Sequence, residues 1–221
     1  GAGFMGAGIA AVAVQRGTPV RLKDTDTARI SKGLAAVSAV LRERLTKKQI
    51  TPLQYDDQLL LAGGTAEYTG FGRATLVIEA VFEDLALKQR VLREVEGLLA
   101  ADAVYASNTS TLPIGSIAEA AMRPERVLGM HFFSPVHKMP LLEVVVTPET
   151  EKEATVTAVA PPVSPLTEAG IDANGNDLTA NQNAVNGGTT PTANGTTPAA
   201  GAAKPAAVVT APISCARPDP F

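Results

Sequence analysis

The sequence predicts an α/β fold on a mostly parallel, doubly wound sheet, and three observations carry that prediction. Short apolar runs alternate with helical patterns, a glycine turn opens the chain and feeds a helix, and a break in composition near Thr150 closes the folded part. Of the 221 residues, those up to about Thr150 hold eight of the nine aromatics, and only Phe221 lies beyond. Nine of the 16 prolines fall after the break, among runs of Ala, Thr, Asn and Gly. Residues 1–150 are therefore read as one domain and 151–221 as a low-complexity tail with too little apolar surface to offset the entropy of ordering.

Small and apolar residues from Gly1 to Arg16 give the first helix, with Gly17 placed to stop it. Pro19 to Asp24 reads as a short strand ending on an acid. Ala28 to Lys48 is a long helical pattern, and Thr51-Pro52 restarts a shorter helix through Leu61 that Gly63-Gly64 ends. Leu76 to Val81 is the continuous apolar run of a buried parallel strand, and Leu85 to Leu99 is amphipathic. Val104 to Ala106 is another strand, leading through Ser107-Asn108-Thr109-Ser110 to a helix that Pro113 opens and that runs to about Met122. Two last strands, Val127 to Phe133 and Leu141 to Val146, flank a turn with Pro135 and Pro140. Glu151 to Val159 begins as a helix that Pro161-Pro162 breaks.

Charge narrows the function classes. The tail holds six acids and three bases, which leaves 16 of each before it. A neutral domain with no basic stripe argues against nucleic acid as a partner. The single Cys215 cannot build a disulfide within the chain, and there is no run of about 18 apolar residues and no basic-then-apolar leader. A cytoplasmic protein is expected.

Gly1, Gly3 and Gly6 form G-x-G-x-x-G, the spacing at which one glycine permits the tight turn, the next lets a pyrophosphate approach the backbone and the third lets the helix pack on the sheet. Asp24 lies 18 residues beyond Gly6 at a strand end, where a carboxylate accepts from ribose hydroxyls and repels a 2′-phosphate. NAD is thus favoured over NADP in a Rossmann-like domain. Such a fingerprint follows a strand, yet Gly1 is the first residue given, so the central first strand is expected to lie upstream. His131 and Glu143 sit on consecutive strands that a turn can place side by side. A carboxylate on one ring nitrogen fixes the tautomer and leaves the other nitrogen free to take a proton. Glu143, in an apolar strand, needs a partner of some kind.

The glycine turn, Val77-Ile78-Glu79-Ala80-Val81-Phe82-Glu83-Asp84-Leu85, Ser107-Asn108-Thr109-Ser110, and Met130-His131-Phe132-Phe133-Ser134-Pro135 through Glu143 resemble the 3-hydroxyacyl-CoA dehydrogenases. The likeness is strongest to the dehydrogenase domain of the large α-subunit of multifunctional fatty-acid oxidation complexes. The resemblance implies oxidation of an (S)-3-hydroxyacyl-CoA, with His131 as general base, Glu143 as its orienting partner and Ser110 near the nicotinamide and substrate hydroxyl. It also implies that Met5, Val81, Phe82, Glu83 and Lys88 line the NAD site with Asp24, that Ser134 stands near the cofactor, and that a thiolase subunit is a partner. Family members continue into a helical domain through a Pro-Gly-Phe segment that this tail lacks. A second reading is therefore a remnant that binds nucleotide or a partner without catalysis.

Overall fold

The computed structural model describes residues 1–159 and, for the backbone alone, 207–212. Helix α1 (Phe4–Gln15) follows the glycine turn, and strand β1 (Val20–Lys23) follows α1. The caps of the next helices are written locally. Asp26 accepts from the Arg29 amide at the start of α2 (Thr27–Thr46), and Thr51 and Gln54 form a reciprocal capping box on α3 (Pro52–Leu60), with Pro52 in the first turn. Ile30, Gly33, Val37 and Leu41 recur at helical spacing and make the buried stripe of α2.

Strand β2 (Ala62–Thr65) corrects the sequence reading, in which Gly63-Gly64 only ends a helix. The pair is instead strand residues running parallel to β1, with Arg21 opposite Gly63 and Leu22 opposite Gly64. A Cβ on Gly64 would collide with Cγ2 of Ile30, so the missing side chain is what lets α2 lie against this strand. Next come β3 (Leu76–Glu79), α4 (Leu85–Glu96, capped by Asp84 at 2.7 Å from the Leu87 amide), β4 (Val104–Ser107) and a short α5 (Ile114–Ala118). Helix α5 ends four residues before the expected Met122. Strands β5 (Val127–Phe132) and β6 (Leu141–Val146) precede α6 (Lys152–Val159).

Strands β3, β4 and β5 are parallel, and β6 returns antiparallel to β5. Alternation along β4 shows how the sheet is covered on both faces. Val104 and Ala106 face a core with Ile9 of α1 and Ala154 and Ala158 of α6, whereas Tyr105 packs with Leu92 and Val95 of α4 and with Ile114 and Ile117 of α5. This is the doubly wound α/β arrangement the sequence predicts. The sheet comes in two pieces, β1–β2 and β3 to β6, and a cavity of about 1090 Å³ lies between them, lined among others by Leu22, Asp24, Leu76, Ile78 and Val81.

Inside the stretch expected to be disordered, β7 (Ala207–Pro212) runs antiparallel along β6, and the β-branched Val208, Val209 and Thr210 suit that conformation. The rest of the expected tail beyond α6 lies outside the described residues. No helix among the described residues is long and apolar enough to cross a membrane.

Candidate functional site

Four loops meet at the C-terminal edge of the parallel strands, and they carry nearly every residue singled out from the sequence. The first is the glycine turn. Gly3 caps α1 in an extended conformation and no side chain caps the helix, so the first-turn N–H groups are available to an anion. A Cβ on Gly6 would run into the carbonyl oxygen of Gly1, and one on Gly1 would come within 2.5 Å of the Ala80 carbonyl oxygen. A Cβ on Gly3 would meet nothing within 4 Å. Two of the glycines thus serve packing, and the middle one borders open space where a pyrophosphate can approach. Met5 packs against the sheet core beneath this turn.

Just past the end of β1, the Asp24 carboxylate accepts from the Ala2 amide at 2.7 Å and from the Thr25 amide at 2.8 Å. Partial burial pushes its pKa up, but these two amide bonds outweigh burial and hold it below the ordinary value. Asp24 therefore remains charged beside the glycine turn, as a ribose-binding acid requires. The large cavity reaches this corner, touching Gly1, Gly3, Gly6, Asp24, Val81 and Phe82, then runs into the gap between the two sheets. His131, Glu143 and Ser110 stand outside it. Its volume belongs to the sheet gap as much as to a ligand site, so the chemistry is better located from the side chains.

His131 on β5 and Glu143 on β6 are direct register partners across an antiparallel pair, and Nδ1 lies 2.8 Å from the Glu143 carboxylate. Side-chain exposure of 24% and 32% leaves both reachable from solvent. The ring is braced by Phe133, with centroids 4.6 Å apart. With Nδ1 committed to the carboxylate, Nε2 is the nitrogen available to exchange a proton. The two side chains lie side by side, as their spacing allows. Ser134, exposed, follows in the turn after β5, and the Ser134–Pro135 peptide bond is cis.

The loop after β4 carries Ser110, which is exposed and makes no hydrogen bond to His131 among the described residues. It is held from behind by Glu83. One Glu83 oxygen accepts from the Ser110 amide at 3.1 Å, the Thr111 amide at 3.2 Å and the hydroxyls of Thr109 and Thr111. Partial burial works against ionisation of Glu83, but these bonds and the Lys88 charge together pull its pKa down to about 2. Phe82 beside it is 83% exposed. Lys88, which the resemblance puts at the cofactor site, is fully buried, 2.9 Å from Glu79 and 3.3 Å from Glu83. Two residues of this region were not singled out from the sequence. Glu79 is one, and the signal for it was present, since a carboxylate inside an apolar strand needs a partner just as Glu143 does. Asn108 is the other, whose side-chain oxygen accepts from the Phe132 amide at 2.9 Å and ties the Ser110 loop to the histidine strand.

Residues 1–162 match the family model described as 3-hydroxyacyl-CoA dehydrogenase, NAD binding domain. Solved structures agree. The chain is 38% identical to FadB2 of M. tuberculosis, covering 71% of this chain and 56% of that one with a TM-score of 0.68. It is 34% identical to (S)-3-hydroxybutyryl-CoA dehydrogenase PaaH1 of Ralstonia eutropha, covering 72% and 56% with a TM-score of 0.68. With 3-hydroxybutyryl-CoA dehydrogenase of Escherichia coli K12 the identity is 32% over 72% of this chain and 34% of that one, with a TM-score of 0.69. The chain spans little more than half the length of these proteins at most.

Proposed function

Because this chain belongs to the 3-hydroxyacyl-CoA dehydrogenases, with residues 1–162 forming their NAD-binding domain, we propose that it serves the oxidation of an (S)-3-hydroxyacyl-CoA to the 3-oxoacyl-CoA. The observation that carries this reading is the 2.8 Å contact between His131 and Glu143 at the edge of the sheet where the cofactor fingerprint also lies. His131 Nε2 takes the proton of the 3-hydroxyl. Glu143 fixes the tautomer that leaves Nε2 free and stabilises the imidazolium that forms. Bound NAD supplies the hydride acceptor for C3. The residues fit that cofactor: Gly3 opens the backbone to the pyrophosphate, the α1 amides face it, and the Asp24 carboxylate meets the ribose and disfavours a 2′-phosphate. Ser110 stands on the loop that reaches toward the substrate hydroxyl.

The motif order further supports a place in fatty-acid β-oxidation, within a multifunctional subunit that partners a thiolase, and the composition is the ground for placing it in the cytoplasm. A second reading rests on the large cavity touching the cofactor fingerprint while His131, Glu143 and Ser110 stand outside it: the domain binds nucleotide or a partner without catalysis.

One assay separates the two. The purified chain is mixed with acetoacetyl-CoA and NADH, and NADH consumption and NADH binding are followed together. Consumption of NADH supports the dehydrogenase reading. Binding without consumption supports the second, and neither binding nor consumption overturns both.

A further inference from the structure

Behind the exposed ends of the cofactor loops lies a charge cluster built on the buried Glu79–Lys88 pair, and neither the family match nor the proposed reaction assigns Glu79 a role in it. Glu79 is 2% exposed and Lys88 wholly buried. One Glu79 oxygen accepts from Lys88 Nζ at 2.9 Å and from the Val81 amide at 2.7 Å. The other accepts from Lys88 Nζ at 3.1 Å and from the Ser107 hydroxyl at 2.7 Å. The Glu79 carbonyl also accepts from the Asn108 amide at 2.8 Å. Lys88 then reaches Glu83 at 3.3 Å, and Glu83 in turn holds the amides of Ser110 and Thr111.

Apart from the Ser107 hydroxyl on β4, the partners of this cluster lie on the Val81–Glu83 stretch and on the loop from Asn108 to Thr111. Burying the Glu79 carboxylate and the Lys88 ammonium carries a desolvation cost of several kcal/mol per ion that a hydrophobic pair of the same volume would avoid. For stability alone the cluster is a poor choice of residues. What it supplies is direction, because Lys88 fixes the separation of two carboxylates, one holding Val81 and the other holding Ser110.

We propose that Glu79 is a positioning residue that acts through Lys88 and Glu83, setting the Ser110 loop against the Val81–Glu83 stretch. The consequence for catalysis rests on the dehydrogenase reading, but the positioning itself is measurable without it. In the full chain, Glu79→Gln keeps the volume and one acceptor while removing the charge that anchors Lys88. Hydrogen exchange of the Ser110 and Thr111 amides, which Glu79 does not touch, is expected to quicken about fivefold or more, together with that of Val81. NADH affinity is expected to weaken by a similar factor, while KM for acetoacetyl-CoA changes less than about twofold. In a Lys88→Met background the same Glu79→Gln change is expected to add less than about twofold. The doubly neutral variant also guards against loss of folding, because it leaves no unpaired buried charge. Faster exchange confined to Val81, or an undiminished Glu79→Gln effect without Lys88, would overturn the proposal. If the parent chain neither binds NADH nor consumes it, the dehydrogenase reading fails, and the exchange data still decide the positioning claim.

Discussion

Glu143 and Glu79 are both carboxylates set in apolar strands of one sheet, and they occupy opposite regimes. Among the described residues Glu143 has a single charged partner, His131, at a place that water reaches, with side-chain exposures of 24% for His131 and 32% for Glu143. Glu79 and its partner Lys88 show no side-chain exposure at all, and Glu79 has further donors in Ser107 and the Val81 amide. A group that must pass a proton needs a route for it, whereas a group that must only hold a loop is strongest where its charge cannot be screened. Under the proposed function, the same residue type in the same kind of strand serves the chemistry at the open end and the geometry behind it.

The sharpest break of that comparison is Lys88→Met. It leaves Glu79 buried and unpaired, and a loss of about 3 to 5 kcal/mol in denaturant unfolding is expected, most of it recovered when Glu79→Gln is added. Glu143→Gln should lie at the other pole. It keeps a hydrogen-bond acceptor for Nδ1, so folding stability is expected to stay within about 1 kcal/mol, while turnover of acetoacetyl-CoA falls about 10- to 100-fold.

Asp24→Ala removes the carboxylate that holds the glycine turn through the Ala2 amide and that is proposed to meet the cofactor ribose. NADH affinity is expected to fall about tenfold and the preference for NADH over NADPH to shrink, both read by titrating the two nucleotides side by side. The smallest expected effect belongs to Glu83. Its folded pKa of about 2 lies below the ordinary 4.5, so its stabilising contribution is full above about pH 4.5 and is lost as pH falls toward 2. Because its side chain is 37% exposed, solvent screening trims that contribution. Between about pH 5 and pH 3 the melting temperature of the parent chain should drop slightly more than that of Glu83→Gln.

Much of this was legible in the sequence, and particular residues show where it stopped. The β5–β6 hairpin, with His131 opposite Glu143, follows from two apolar runs and a short turn, because register in an antiparallel pair is fixed locally. The glycine turn and Asp24 likewise meet where spacing puts them. Strand β2 was hidden because Gly63-Gly64 signals a break, and only the approach of Ile30 from α2, 34 residues earlier than Gly64, explains why a strand needs glycine there. Lys88 enters the sequence reading only through the resemblance, because helical spacing does not show what lies across the sheet. Its burial depends on Glu79 and Glu83 from two other segments, a contact that no local pattern encodes.

The central claim is that His131 moves the proton while the cofactor is held elsewhere, and His131→Ala tests it most directly. Consumption of NADH with acetoacetyl-CoA and NADH affinity should be measured on the same preparation of parent and variant. A loss of turnover of at least about a hundredfold with NADH affinity unchanged within about twofold is the predicted result. Turnover that survives the substitution, or NADH affinity that falls along with it, would contradict the assignment.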